Sequence, residues 1–122
     1  MTTKIFTSGV AVFIVLAVLF LYGYQQNFFQ TLIWWDILMH FLGGIWAGYI
    51  GAWFISFLGY PVRMSHFVAG AILLGLAVEV VEYFFVIGRN PFMSYELDTS
   101  KDIFVDVIGG VAAGLSLTAN RS

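Results

Sequence analysis

The sequence predicts an all-α membrane protein, four transmembrane helices in an up-down-up-down bundle, and three observations carry that prediction. Hydrophobic residues make up 61% of the 122 and charged residues only 10%, against about 25% charged in an ordinary soluble domain. Mean hydropathy is +0.92, so folding in water would leave far too much apolar surface exposed and the expected solvent is a bilayer. Four apolar stretches each reach the roughly 20 residues that cross about 30 Å of hydrocarbon, and the short links between them force antiparallel neighbours. Residues 1–122 are therefore expected to form one transmembrane domain. A net charge of −2 without a basic patch argues against nucleic acid as a partner. The lack of cysteine excludes disulfides and thiolate metal sites.

The first span is expected at 5–24, "IFTSGVAVFIVLAVLFLYGY". Lys4 before an apolar run resembles a signal peptide, but the run is long and no small-x-small cleavage site follows, so it is read as a retained helix. The second span, 34–58, opens on Trp34 and Trp35, the residue type enriched at membrane interfaces. The third, 66–88, starts at His66, read as interfacial and without a role, and the fourth covers 101–119. With the N-terminus inside, Lys4, Arg63 and Arg121 are cytoplasmic while Arg89 and Lys101 are outside, which places both termini in the cytoplasm. A bacterial or archaeal cell membrane is the expected location, and so small a bundle is expected to form a homo-oligomer.

Ionisable groups inside the spans need a reason, since each costs about 2.5–3.5 kcal/mol at the centre of a membrane helix. Here they are Asp36 and His40, Glu79 and Glu82, then Asp102 and Asp106. Spans two and four begin on the membrane face where span three ends. At 1.5 Å per residue, His40, Glu82 and Asp106 then lie about 7–9 Å below that face, so three helices bring polar groups to one level. Spacings of i, i+3 and i, i+4 put each set on one helix face.

The acids share those faces with small residues. "DILMHFLGGIWAG" (36–48) and "DIFVDVIGGVAAG" (102–114) follow one pattern, D-I-x-x-[HD]-x-[LI]-G-G-[IV]-x-A-G. His40 then corresponds to Asp106, and the chain reads as two repeated helical hairpins related by an axis along the membrane normal. Glycine stripes permit close helix approach, which predicts a tight seam in one half of the membrane and a polar chamber in the other.

In order, the chain carries D-x-x-x-H (Asp36, His40), E-x-x-E-aromatic (Glu79, Glu82, Tyr83) and D-T-x-x-D-x-x-x-D-x-x-G (Asp98, Thr99, Asp102, Asp106, Gly109). With these motifs it resembles the VanZ-like and YjdF-like small membrane proteins over about 34–114, and the YjdF-like pattern more closely. VanZ-like proteins often show a glutamine, an arginine and a late asparagine where this chain has Glu82 and Asp106. The resemblance implies a polytopic membrane protein with polar groups at these positions. VanZ itself is linked to teicoplanin resistance, and no substrate follows from the likeness.

The residues leave three functions open. In the first, the chamber binds a divalent metal. Carboxylates and one imidazole suit Mg²⁺, Mn²⁺, Zn²⁺ or Fe²⁺, with His40, Glu79, Glu82 and Asp106 as inner ligands and Asp36 and Asp102 as outer ligands or their partners. Asp98 and Arg89 stand behind those ligands or at the rim of the site. Such a metal activates water or holds a phosphate, and the group it would meet at that depth is a lipid or lipid-linked head group. The second is proton- or cation-coupled transport through carboxylates that cannot all ionise together. The third is structural, with the acids fixing helix packing. There is no H-E-x-x-H, E-x-x-H, P-loop, G-x-G-x-x-G or serine nucleophile motif, so whether the protein is an enzyme is also open.

Overall fold

The structure is a computed structural model describing residues 2–85 and 91–119. Among these the chain is helical and without strands: α1 (Thr2–Gln25), the single turn α2 (Phe28–Thr31), α3 (Ile33–Phe57), α4 (Met64–Phe85) and α5 (Tyr95–Ala119). By length and composition α1, α3 and α4 can cross a membrane. The N-terminal half of α5 carries Glu96, Asp98, Lys101, Asp102 and Asp106, and it is not among those three.

Three helix boundaries have local causes. The chain leaves α1 through Asn27 in the left-handed region (φ 61°), which a short polar side chain tolerates. It leaves α3 through Gly59 (φ 87°), where a side chain would be strained. α5 starts at Tyr95 because Ser94 caps it: the Leu97 amide donates to Ser94 Oγ at 3.3 Å. The helix therefore begins six residues ahead of the expected position 101.

α3 is the central element. It packs against α1, α4 and α5, and α4 also packs against α5, whereas α1 leans on α3 and on α2 at its end. Ring pairs Phe6–Trp53 and Phe13–Trp46, with centroids 5.9 and 5.4 Å apart, set α1 antiparallel to α3. A hydroxyl hydrogen bond joins Thr2 to Ser56 at one end of that pair. α3 and α5 run parallel, linked by Tyr49 and Ser116, whose hydroxyls lie 2.6 Å apart. α4 runs against both.

The expected small-residue seam is present. A Cβ added at Gly48 would lie 3.2 Å from Gly110 Cα, and one at Gly51 would lie 2.9 Å from Gly70 Cα. One at Gly110 would lie 2.8 Å from Ala71 Cβ and 2.9 Å from the Phe67 carbonyl oxygen. Backbones this close gain dispersion contacts that substitute for a hydrophobic driving force where the solvent is itself apolar. Outside the seam the pattern is inverted relative to a soluble protein. On α1 only Ile5, Gly9 and Gly23 are buried, while Phe13, Ile14, Val18 and Leu21 are exposed. The two interfacial tryptophans separate: Trp34 is exposed, whereas Trp35 is buried and meets Phe28 edge-on at 5.0 Å.

Candidate functional site

The polar side chains converge at one end of the α3–α4–α5 unit, where α3 and α5 begin and α4 ends. α3 contributes Asp36 and His40 one turn apart. α4 contributes Glu79 and Glu82 near its end. α5 contributes Asp98, Lys101, Asp102 and Asp106 over its first three turns. The α3–α5 approach that aligns them needs Gly44, because a Cβ there would strike the Asp106 backbone.

His40 sits among three aspartates. Its Nδ1 lies 3.2 Å from Asp106 Oδ1, and its Nε2 lies 3.2 Å from Asp102 Oδ2 and 3.6 Å from Asp36 Oδ1. Both ring nitrogens are thus turned to carboxylate oxygens. His40 and Asp106 are the corresponding positions of the sequence repeat, and here they hydrogen-bond to each other.

Lys101, expected only as a flanking charge, points into the cluster. Its ammonium is 2.7 Å from Asp36 Oδ2, 3.1 Å from Asp98 Oδ1 and 3.4 Å from Asp102 Oδ1. The side chain keeps only 17% exposure. The signal was present in the sequence, since Lys101 stands three residues after Asp98 and so shares its helix face.

Glu79 and Glu82 form the other wall with Asp102. One carboxylate oxygen from each of these three residues falls within 4.8 Å of the other two, and Asp36, His40 and Asp102 make a second such group. Asp102 belongs to both and is 1% exposed. Glu79 is 5% exposed. Its Oε2 accepts a hydrogen bond from Thr99 Oγ1 at 3.1 Å, but its Oε1 is buried without a partner. Asp102 Oδ1 is likewise buried with no hydrogen bond, having only the Lys101 ammonium at ion-pair distance. Among the described residues no cation pairs with Glu79 or Glu82. The charges are thus unevenly matched. His40 and Lys101 serve the α3–α5 aspartates, Asp102 included, while among the described residues the two glutamates beside Asp102 pair with no cation.

This arrangement reorders the roles expected from the sequence. Asp102, expected near the edge, is the centre, because the early start of α5 places it two turns into the helix. Asp106, expected as an inner ligand, is the hydrogen-bond partner of His40. Asp98 is buried beside Lys101. Arg89 lies outside the described residues. His66 accepts a hydrogen bond at Nδ1 from the Arg63 amide at 2.9 Å, a local contact at the start of α4.

No curated protein and no solved structure matches the chain. A family model does, over residues 2–122, and the chain belongs to that family, the predicted membrane proteins of DUF2238.

Proposed function

We propose that this membrane protein binds a divalent cation in an intramembrane acidic chamber, with Glu79, Glu82 and Asp102 as its protein ligands. The observation that carries the reading is Glu79 Oε1, buried without a partner in a corner where three carboxylates meet and where, among the described residues, neither glutamate pairs with a cation. Three ionised carboxylates at such range repel one another strongly in a low dielectric, and a bound cation relieves that repulsion. An all-oxygen set favours Mg²⁺ or Mn²⁺ among the candidate metals. Asp36, His40 and Asp102 form the alternative group, which would suit Zn²⁺ or Fe²⁺. Lys101 and His40 pair with Asp36 and Asp102 alike, whereas among the described residues neither glutamate has a cation, which favours the first group.

The wider setting belongs to the same proposal. α5 is the fourth span of an up-down-up-down bundle, its charged first turns shielded by α3 and α4, and both termini are cytoplasmic. The motif likeness to the VanZ-like and YjdF-like proteins agrees with this architecture. At this depth the group that meets a bound cation is a lipid head group. Transport across the membrane is disfavoured, because the α3–α4–α5 seam on the far side of the acids is closed by backbone contacts at Gly48, Gly51 and Gly110. A purely structural use of the acids requires Glu79 and Asp102 to share a proton in a hydrogen bond between them.

Elemental analysis of the purified protein after dialysis against Mg²⁺ or Mn²⁺ tests the reading. One ion per chain, lost in Glu79→Gln and in Asp102→Asn but kept in Asp36→Asn, is the expected result. No bound ion in the wild type overturns it.

A further inference from the structure

The acidic chamber is not sealed on its α1 side. A cleft of about 1120 Å³ lies between α1 and α4, at or above the upper end of the roughly 300–1,000 Å³ usual for small-molecule sites. Phe13, Leu16, Ala17 and Phe20 of α1 line one wall, and Ala71, Leu74 and Val78 of α4 the other. The floor is α3, with Met39, Gly43 and Ala47. At one end the lining turns polar: Asp36, His40, Glu82 and Asp106 from the chamber, with Asn27 and Gln30 from the turn around α2. The cleft is therefore amphipathic along its length, apolar in the middle of the span and acidic at the membrane-face end.

Gly43 gives an independent indication that the space is kept open. In the repeat it corresponds to Gly109. A Cβ at Gly109 would meet the backbone of Phe41, Gly44 and Ile45, so that glycine is required for packing. A Cβ at Gly43 would meet nothing within 4 Å. Glycine inside a helix costs about 1 kcal/mol relative to alanine, and at Gly43 no helix contact offsets it. The empty space in front of Gly43 is the cleft.

We propose that this cleft holds one hydrocarbon chain of an ethanolamine-headed membrane lipid, with the primary ammonium of the head group donating to Glu82. Lipid tails are as apolar as the cleft walls, so a bound chain gains little by transfer from the bilayer, and selection falls to the polar end. Of its three carboxylates, Asp36 pairs with Lys101 and Asp106 with His40, while among the described residues Glu82 pairs with no cation. It attracts an ammonium and repels a head group of net negative charge. Asn27 and Gln30 provide neutral donors for the lipid phosphate. The proposal rests on the reading of an intramembrane acidic chamber and names the lipid class for its metal-free state, since an ammonium on Glu82 competes with a bound cation.

The test is native mass spectrometry of the purified protein in micelles containing EDTA. Phosphatidylethanolamine and phosphatidylglycerol with identical acyl chains are supplied as competing probes. The wild type is expected to retain the ethanolamine lipid about tenfold over the glycerol lipid, the scale of one charge-assisted hydrogen bond. Glu82→Gln is expected to reduce that preference while chain binding persists. Gly43→Leu, and separately Ala17→Phe from the opposite wall, are expected to abolish retention of both lipids without lowering the thermal midpoint. Equal or preferred retention of phosphatidylglycerol by the wild type overturns the proposal. Undiminished retention in both cleft-filling variants also overturns it. Because EDTA is present throughout, a failure here leaves the cation reading standing, and loss of the cation site alone leaves this one standing.

Discussion

Replacing Lys101 with methionine keeps most of the side-chain volume and removes the ammonium. Three carboxylates lose their shared partner: Asp36 at 2.7 Å, Asp98 at 3.1 Å and Asp102 at 3.4 Å. Removing one member of a buried ion pair costs about 3–5 kcal/mol, because the remaining charge stays desolvated. Lys101 and Asp36 keep 17% and 21% side-chain exposure, which allows some water to reach them and places the expected loss near the lower end, about 3 kcal/mol. The assay is reversible denaturation of the purified protein in micelles, followed by helical circular dichroism. Adding Asp36→Asn to Lys101→Met removes one of the orphaned charges and should recover at least about 1 kcal/mol in a double-mutant cycle. Excess Mn²⁺ should stabilise Lys101→Met more than wild type, since an added cation then has more uncompensated charge to bind. If Lys101→Met unfolds within about 0.5 kcal/mol of wild type, the usual scatter for an uninvolved surface position, the ammonium is not the internal counter-ion of this chamber and the charge assignment fails.

Four further outcomes follow from the same geometry. Gly110→Val should destabilise the protein by about 1–3 kcal/mol, because its Cβ meets Ala71 and the Phe67 carbonyl. Gly43→Ala should instead stabilise by up to about 1 kcal/mol, since only helix propensity changes; denaturation midpoints compare the two. Tyr49→Phe breaks the hydroxyl pair with Ser116 and should cost about 0.5–1.5 kcal/mol in the same assay. Thr99→Val removes the hydrogen bond that orients Glu79 and should weaken Mn²⁺ binding about 10–100-fold, measured by titration with paramagnetic resonance detection. In that titration wild-type affinity should fall as the pH is lowered, because protons compete for the ligand carboxylates.

Much of this was legible in the sequence because a membrane simplifies the reading. Apolar length located α1, α3 and α4 to within a few residues. The i, i+4 spacing of Asp36 and His40, set against Asp102 and Asp106, placed four groups that do meet. The glycine stripe gave the seam, since only small residues let three backbones approach so closely. What was missed lies where local polar chemistry competes with hydropathy. α5 begins at its Ser94 cap, and the charged turn from Tyr95 to Ser100 carries no hydropathy signal. Its early start moved Asp102 to the centre and turned Lys101 inward. Lys101 was counted by sign for orientation, a rule that ignores which helix face a charge occupies. Trp34 and Trp35 looked equivalent, yet neighbours on a helix point about 100° apart, so one faces outward and one packs under Phe28. The cleft before Gly43 could not be read at all, because a glycine that admits a neighbouring helix and a glycine that admits nothing have the same letter.

The central claim is a cation held by Glu79, Glu82 and Asp102, and anomalous diffraction from crystals grown in lipid and soaked in Mn²⁺ tests it most directly. The account predicts one anomalous peak within bonding distance of oxygens from all three residues, filling the space before Glu79 Oε1 and Asp102 Oδ1. A peak bound by Asp36 and His40 instead, or no peak at saturating Mn²⁺, contradicts it.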